Sequence, residues 1–388
     1  MASTVLVRVS ALDRPGITAG LMGVLETGGA ALLDVEQIVV RGRLTLDILI
    51  DVPAGNTIIK DLLFYGWEKD LRLDFEVVED APSEHRTRSA VTVIGRQVGP
   101  EVFGAVARAI ASGDGNIDRI FRLSRYPVIA YELAITDGDI DVMRRALVDV
   151  AASNPVDIAI QAEGLHRRAR RLIVLDVDST LIQNEMIDLL AEEAGVAEEV
   201  AELTRQAMEG VIDFEVALRA RVRLLAGLEV DAIERVADRI ALTPGARTFV
   251  ATLKRLGMTV GVVSGGFTLF TDKLKERLDL DHAEANELEI VDGLLTGELV
   301  GRIVDRERKA EILRELAEKY GVPVEQSVAI GDGANDLDLL AAAGLGIAFN
   351  AKPVVRDAAD TTLNVPYLDA ALFLLGIPRE DISGTDDT

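Results

Sequence analysis

Apolar positions run along this chain in two rhythms, and the change falls near residue 171. In the first part, short β-rich runs alternate with helical stretches. Residues 5–9 predict a strand. The turn Leu12-Asp13-Arg14-Pro15-Gly16 follows, with Asp13 placed to cap and Pro15 to start a helix reaching about residue 27. Gly28-Gly29 stops that helix. Residues 32–40 and 44–52 predict two strands joined in a hairpin at Arg41-Gly42-Arg43. Residues 56–67 are helical in pattern, and 71–78 form a last strand. The order is β-α-β-β-α-β, the ferredoxin-like arrangement. It then recurs: strand 90–94, helix 100–112, strands 116–123 and 128–135 about Tyr126-Pro127, helix 140–152, strand 156–161. A pattern seen twice is hard to produce by chance. The expected domains are 1–80 and 81–165, joined by the polar stretch 80–89.

The basic run His166-Arg167-Arg168-Ala169-Arg170-Arg171 reads as a solvated linker into a third domain, 166–388. From there, apolar runs alternate with helices, the sign of an α/β, doubly wound parallel sheet. Residues 172–175 predict a buried strand. The next apolar strand comes only at 257–266. Between them, residues 183–243 are helical in pattern, at 185–193, 198–210, 214–225 and 230–240. Such an insert predicts a cap over the crevice, on a core of about 170–182 and 244–377. Later come a helix at 270–278 and a hairpin at 287–300 about Asp292-Gly293. A helix opened by Lys309 runs to 320. A strand from 327 ends in an acidic loop by 336, a further strand covers 344–349, and the tail beyond 377 is polar.

Composition narrows the function. The formal net charge of −24 over 388 residues argues against nucleic acid or anionic membrane as partner. With no cysteine and three scattered histidines, thiol chemistry and histidine metal sites are improbable. The start of the chain shows no signal-peptide pattern, and no apolar run is long enough for a membrane helix. A cytoplasmic location is the expectation.

The chemistry gathers at strand ends. Asp176 and Asp178 terminate the first core strand, where paired like charges are costly unless a cation or a reaction uses them. Ser264-Gly265-Gly266 ends the second, and Gly331-Asp332-Gly333-Ala334-Asn335-Asp336 the third, with Lys309 between the last two in sequence. Each alone reads equally well as a turn. In this order they resemble the haloacid-dehalogenase-like phosphohydrolases, from residue 171 to about 377, and in particular the members that hydrolyse O-phospho-L-serine, the last step of serine biosynthesis.

The resemblance implies Asp176 as nucleophile, forming an aspartyl phosphate, and Asp178 as general acid and base. It implies Mg2+ held by Asp176, the main-chain carbonyl of Asp178 and Asp332, with Asp336 behind them. Ser264, Gly265 and Lys309 would hold the phosphoryl oxygens, and Asn335 would lie against substrate. Glu185 and Arg221 match the family positions for an amino acid's ammonium and carboxylate, and Met208 and Phe214 match its apolar closure. Periodicity does not separate Arg221 from Arg219 and Arg223.

Both amino-terminal repeats resemble the ACT domain, a module that binds amino acids. The telling residues are Asp13-Arg14-Pro15-Gly16. The resemblance implies a homodimer and an effector site at Asp13 and Gly16, with L-serine as the expected ligand. Free N–H groups at a helix start suit a carboxylate, although a plain cap and turn explain the same residues. The second copy carries Gly95-Arg96-Gln97-Val98-Gly99-Pro100 instead. Two other functions stay open at this stage: a phosphatase for another small metabolite such as phosphohomoserine, or a non-catalytic amino-acid sensor on a phosphatase fold.

Overall fold

The structure is a computed structural model that describes residues 3–53, 55, 57–78, 87–208 and 211–382; the side chains of Arg168 and Met208 lie outside that description. Most of the expected polar linker, 79–86, and the end of the tail lie outside it too. The chain divides into two compact units, Met1–His85 and Arg86–Thr388.

The smaller unit runs β1 (Ser3–Leu12), α1 (Ile17–Gly28), β2 (Ala31–Val40), β3 (Arg43–Val52), α2 (Ile58–Glu68), β4 (Arg72–Val77). Its antiparallel sheet has the order β2-β3-β1-β4. Alternation decides the faces. Val5, Val7 and Val9 point to a core with Leu21, Leu25, Ile58 and Leu62 of the helices. Arg8 lies opposite Asp47 across the strand pair and bonds its carboxylate at 3.1 Å. The turn between β2 and β3 has Arg41 and Gly42 both at positive φ, the geometry that suits a tight hairpin. Asp13 does not cap α1, as the sequence pattern suggested. Gly16 is the cap, at φ 93°, a conformation that favours glycine, and no side chain bonds the helix start. β2 is exposed along its whole length, with Leu32, Leu33, Val35, Ile38, Val39 and Val40 facing solvent.

The larger unit opens with the second βαββαβ module: β5 (Arg88–Gly95), α3 (Pro100–Ala111), β6 (Asn116–Ser124), β7 (Ile129–Thr136), α4 (Ile140–Ser153) and β8 (Val156–Ala162). Its sheet order, β6-β7-β5-β8, repeats that of the first module. A short helix α5 (Leu165–Arg168) leads into β9 (Leu172–Leu175). Four helices follow: α6 (Met186–Ala194), α7 (Ala197–Met208), α8 (Phe214–Leu224) and α9 (Val230–Arg239). The rest is α10 (Ala246–Arg255), β10 (Thr259–Phe267), α11 (Thr268–Leu278), β11 (His282–Val291), β12 (Leu294–Val300), α12 (Arg306–Lys319), β13 (Ser327–Gly331), α13 (Leu337–Ala342), β14 (Gly346–Phe349), α14 (Pro353–Arg356), β15 (Thr361–Leu363) and α15 (Ala371–Leu374). The seven-stranded sheet reads β12-β11-β10-β9-β13-β14-β15, parallel except for β12. β9 lies at its centre, and its four residues are wholly buried, as an unbroken apolar run requires.

The second module is built into the core rather than beside it. Ile94, Leu123, Val128, Ala130 and Ala159 share one apolar cluster with Leu175, Phe349 and Phe373. Gln161 donates to the Leu374 carbonyl at 2.9 Å, and Asn364 donates twice to Asp157, at 2.8 and 2.6 Å. β5 is therefore buried on both faces, whereas β1 alternates.

The basic run is not a solvated linker. Arg167 is 8% exposed and bridges Glu132 and Glu163, and Arg170 donates to the carbonyls of Glu325 and Ser327 at 2.7 and 3.0 Å. Two of the run's cations thus anchor it, Arg167 to the second module and Arg170 to the core. Removing one member of a buried ionic group leaves the others uncompensated, at about 3 kcal/mol or more. Arg167→Ala should therefore lower the stability of the larger unit by about that amount, read from its thermal midpoint. A midpoint within a degree or so of wild type would show the bridge to be dispensable.

Candidate active site

Three strand ends meet at the middle of the large sheet. β9 pairs in parallel with β10 and β13, and Leu175 lies opposite Val262 on one side and Ile330 on the other. One or two residues further on, the backbone delivers Asp176, Ser264 and Asp332 to the same edge. This is the carboxyl edge, where open α/β sheets hold their ligands.

Lys309 binds the cluster together. Its side chain is fully buried, and Nζ donates to Asp176 and to Asp336, 2.7 Å each. The helix carrying it begins at Arg306 rather than at Lys309, because Asp305 accepts from the Arg308 N–H at 2.8 Å and caps the start. Asp336 also accepts from the Gly333 N–H at 3.0 Å, and its carboxylate packs on Gly331, where a β-carbon would not fit. Asp176, Asp332 and Asp336 each offer a carboxylate oxygen, all within 4.8 Å of one another.

Asp178 is held from two sides. It accepts from the Met186 N–H at 2.8 Å and from the Ser264 hydroxyl at 3.2 Å. The Ser264 hydroxyl in turn accepts from the Gly266 N–H at 2.8 Å. A β-carbon at Gly266 would run into Met186 and come within 3.0 Å of Asp178 and Ser264. The second glycine of Ser264-Gly265-Gly266 thus does more than turn the chain.

The cap joins the core through two short antiparallel crossings. Ile182 bridges Leu242, the Gln183 N–H donates to Ala241 at 2.9 Å, and the Thr243 N–H donates to Leu181 at 3.0 Å. Phe214, at the start of α8, sits over Gly265: a β-carbon there would lie 3.6 Å from its ring. Glu185 enters from the hinge and accepts from the Ser179 hydroxyl at 2.8 Å. Burial separates the three arginines of α8. Arg219 pairs with Glu215 and Arg223 with Glu298, both at the surface, whereas Arg221 is 9% exposed and donates to Thr204 at 3.2 Å. Asn335 lies in the turn 334–336, half-buried, its side chain against Gly333. Met208 is the last described residue of α7, and its side chain lies outside the description. Asp13 and Gly16 belong to the smaller unit, where the Asp13 N–H donates to Gly42 at 2.8 Å.

Three supporting residues had no role assigned from the sequence, although Ser179 and Thr180 directly follow Asp178 in the motif. Ser179 holds Glu185 from a left-handed backbone, φ 56°, which few residues other than glycine adopt. Thr180 reaches toward Asp332, while its carbonyl accepts from Thr243 at 2.7 Å. Asn286, 1% exposed, ties Gly265 to Val304 through bonds of 2.8 Å each. Only contact across the fold reveals these roles.

The electrostatics follow from crowding. Burial, then the Asp336 charge, drives the Asp176 carboxyl well above the usual carboxylate range. Burial and the neighbouring Glu185 push Asp178 up to about 7. Burial, Asp336 and Glu185 push Asp332 up to about 7 as well. Burial raises Glu185, against the Ser179 hydrogen bond. For Lys309 burial works against the charge, but Asp176 and Asp336 outweigh it and hold its pKa above the ordinary value. The site is thus short of positive charge.

Comparison with known proteins agrees with this geometry. The haloacid dehalogenase-like hydrolase family matches residues 173–341, and ACT domain families match 3–76 and 87–161. The chain is 53% identical to phosphoserine phosphatase of Streptomyces coelicolor, across 99% of this chain and 94% of that protein. It belongs to the phosphoserine phosphatase family. Phosphoserine phosphatase of Mycobacterium tuberculosis is 48% identical, with 99% and 95% covered. A solved phospho-aspartyl intermediate analogue of phosphoserine phosphatase, 45% identical, superposes on 53% of this chain and 98% of its own, with a TM-score of 0.51.

The raised carboxyls make a stability prediction for this phosphoserine phosphatase relative. A carboxyl whose folded pKa exceeds its unfolded value, about 4, binds more protons in the native state. Its contribution to stability is therefore lost as pH rises from about 4 towards its folded pKa, about 7 for Asp178 and Asp332. In chelator, the thermal midpoint should fall between about pH 5 and pH 8, and less steeply in Asp332→Asn. Equal slopes in the two proteins would overturn this account.

Proposed function

We propose that the chain hydrolyses O-phospho-L-serine to L-serine and phosphate through an aspartyl phosphate on Asp176, with Mg2+ as cofactor. The observation that carries the reading is the meeting of Asp176, Asp178, Ser264, Lys309 and Asp332 under a cap that presents Glu185 and a buried Arg221. The three-carboxylate group fits a hard divalent ion that takes oxygen ligands. Asp176, the Asp178 main-chain carbonyl and Asp332 would hold Mg2+, with Asp336 behind them locked to Lys309. When bound, Mg2+ supplies positive charge that lets an anionic nucleophile approach a phosphate dianion.

The chain's own groups do the rest. Asp176 attacks phosphorus and the ester oxygen leaves, taking a proton from Asp178. The bond at Asp176 then breaks as water attacks, its proton passing back to Asp178. Burial beside Glu185 suits Asp178 to this exchange, since a carboxyl near 7 can hold or release a proton at neutral pH. Lys309, the Ser264 hydroxyl and the Gly265 N–H compensate charge on the phosphoryl oxygens. Glu185 takes the substrate ammonium and Arg221 its carboxylate, while Phe214 closes over Gly265 and Met208 completes the apolar wall. Asn335 borders the substrate. The smaller unit is read as a sensor for L-serine at Asp13 and Gly16, and as half of a homodimer. The exposed apolar strand β2 supports the dimer, because an uncovered edge strand of this length is an association surface. Among the described residues no helix is long and apolar enough to cross a membrane.

Phosphate release from L-phosphoserine should require Mg2+ and exceed that from phosphohomoserine and other monoesters. Asp176→Asn should abolish it, and Asp178→Asn should lower kcat about 10²–10⁴-fold. Release only from other esters would keep the mechanism and sink the substrate. No release by folded protein would leave the sensor reading. For the smaller unit, sedimentation should give a dimer for wild type and a monomer for Ile38→Lys. Calorimetry should show L-serine binding that Asp13→Ala weakens; a monomeric wild type, or no L-serine binding, would remove the corresponding role.

A further inference from the structure

A fourth strand end reaches the same edge. β14 pairs in parallel with β13, and Ala348 lies opposite Gly331, the residue before Asp332. The chain then turns through Asn350, in the left-handed region at φ 45°, whose N–H donates to the Leu363 carbonyl at 2.9 Å. Lys352 follows as the cap of α14, its carbonyl accepting from Val355 and Arg356 at 3.0 and 3.1 Å. Its backbone is fixed on both sides while its side chain is exposed. It forms no ion pair within 4 Å among the described residues, yet its charge acts on both Glu185 and Asp332. The end of β14 thus brings an exposed cation to the carboxyl edge, next to the strand that leads into Asp332, and its charge opposes those of Glu185 and Asp332.

Charge balance gives this position a purpose. Five carboxylates (Asp176, Asp178, Glu185, Asp332 and Asp336) face one buried ammonium, Lys309, and one buried guanidinium, Arg221. Even a divalent ion leaves that set short of positive charge when all five are ionised. A phosphomonoester arrives as a dianion and must cross this field. An exposed cation at this edge lowers that barrier without desolvating itself, and a charge at a cleft rim acts on capture more than on chemistry.

We propose that Lys352 is a positioning residue for the phosphoryl dianion, drawing it into the mouth of the site between Glu185 and Asp332. The proposal rests on the phosphomonoesterase reading of the site and extends it to a residue outside the three strand ends. Lys352 takes no part in bond making. Its removal acts on substrate capture and leaves the turnover of bound substrate in place.

The test uses the Mg2+-loaded full chain. Lys352→Ala should lower kcat/KM for L-phosphoserine about tenfold with kcat within about twofold, Lys352→Glu should lower it further, and Lys352→Arg should restore it. The dependence of kcat/KM on salt should flatten in Lys352→Ala, which a purely structural helix cap would not cause. Calorimetry with inorganic phosphate separates the two readings, since it needs no turnover: binding should weaken in Lys352→Ala in step with KM. Unchanged phosphate binding, or a loss confined to kcat, would overturn the assignment. The Mg2+ concentration for half-activation should not rise, and a rise would place Lys352 with the metal instead. Should wild type release no phosphate from any ester, the phosphomonoesterase reading fails, while phosphate binding still decides whether Lys352 holds the anion.

Discussion

The ammonium group of Lys309 is the constraint on which the rest of this site depends. It is fully buried between Asp176 and Asp336, 2.7 Å from each. Burying an isolated charge costs several kcal/mol, and burying like charges together costs more. Lys309 offsets part of the negative charge that Asp176 and Asp336 bring into the interior beside Asp332. The same reasoning explains why the cluster is held so firmly. Asp336 is pinned by Lys309, by the Gly333 N–H and by close packing on Gly331. A loosely held acid would simply turn outward to water.

Topology supplies the second constraint. Only a sheet with β9 at its centre can bring the ends of β10 and β13 to either side of Asp176. The cap enters directly after β9, so its hinge and the loop of Asp176 and Asp178 are one piece of chain. Ser179 shows the consequence. Its left-handed backbone turns its hydroxyl onto Glu185, so Glu185 is set by the same loop that carries Asp176 and Asp178. Cap position and the geometry of these two acids cannot vary independently.

Much of this was legible in the sequence because the signals were local. The βαββαβ order of both modules and the parallel sheet follow from runs whose periodicity is unambiguous. The pairing of Asp176 and Asp178 after four apolar residues needed no tertiary knowledge. What was hidden depended on partners far away in sequence. Arg221 differs from Arg219 and Arg223 only in facing the cap interior, and helical period alone could not find that face. Arg167 and Arg170 read as solvated because a basic run in an acidic chain normally is, and only Glu132, Glu163 and two distant carbonyls bury them. Asp13 had the right residue type for a cap, but the positive φ of Gly16 ends the turn before its side chain can serve.

The two ferredoxin-like modules, alike in order, differ in what covers their sheets. In the first, Arg8 and Asp47 occupy the face away from the helices, and that face stays polar. In the second, the corresponding strand reads Arg88-Ser-Ala-Val-Thr-Val-Ile-Gly95, with small or apolar residues at both alternations. The difference decides what each module packs against. The second shares a core with Leu175, one residue from Asp176, and holds β15 through Asp157 and Asn364. It cannot shift without disturbing the strand that leads into Asp176. The first is a compact unit with its own core cluster and an exposed edge strand. Of two modules alike in strand order, one thus shares its core with the seven-stranded sheet and the other keeps a core of its own.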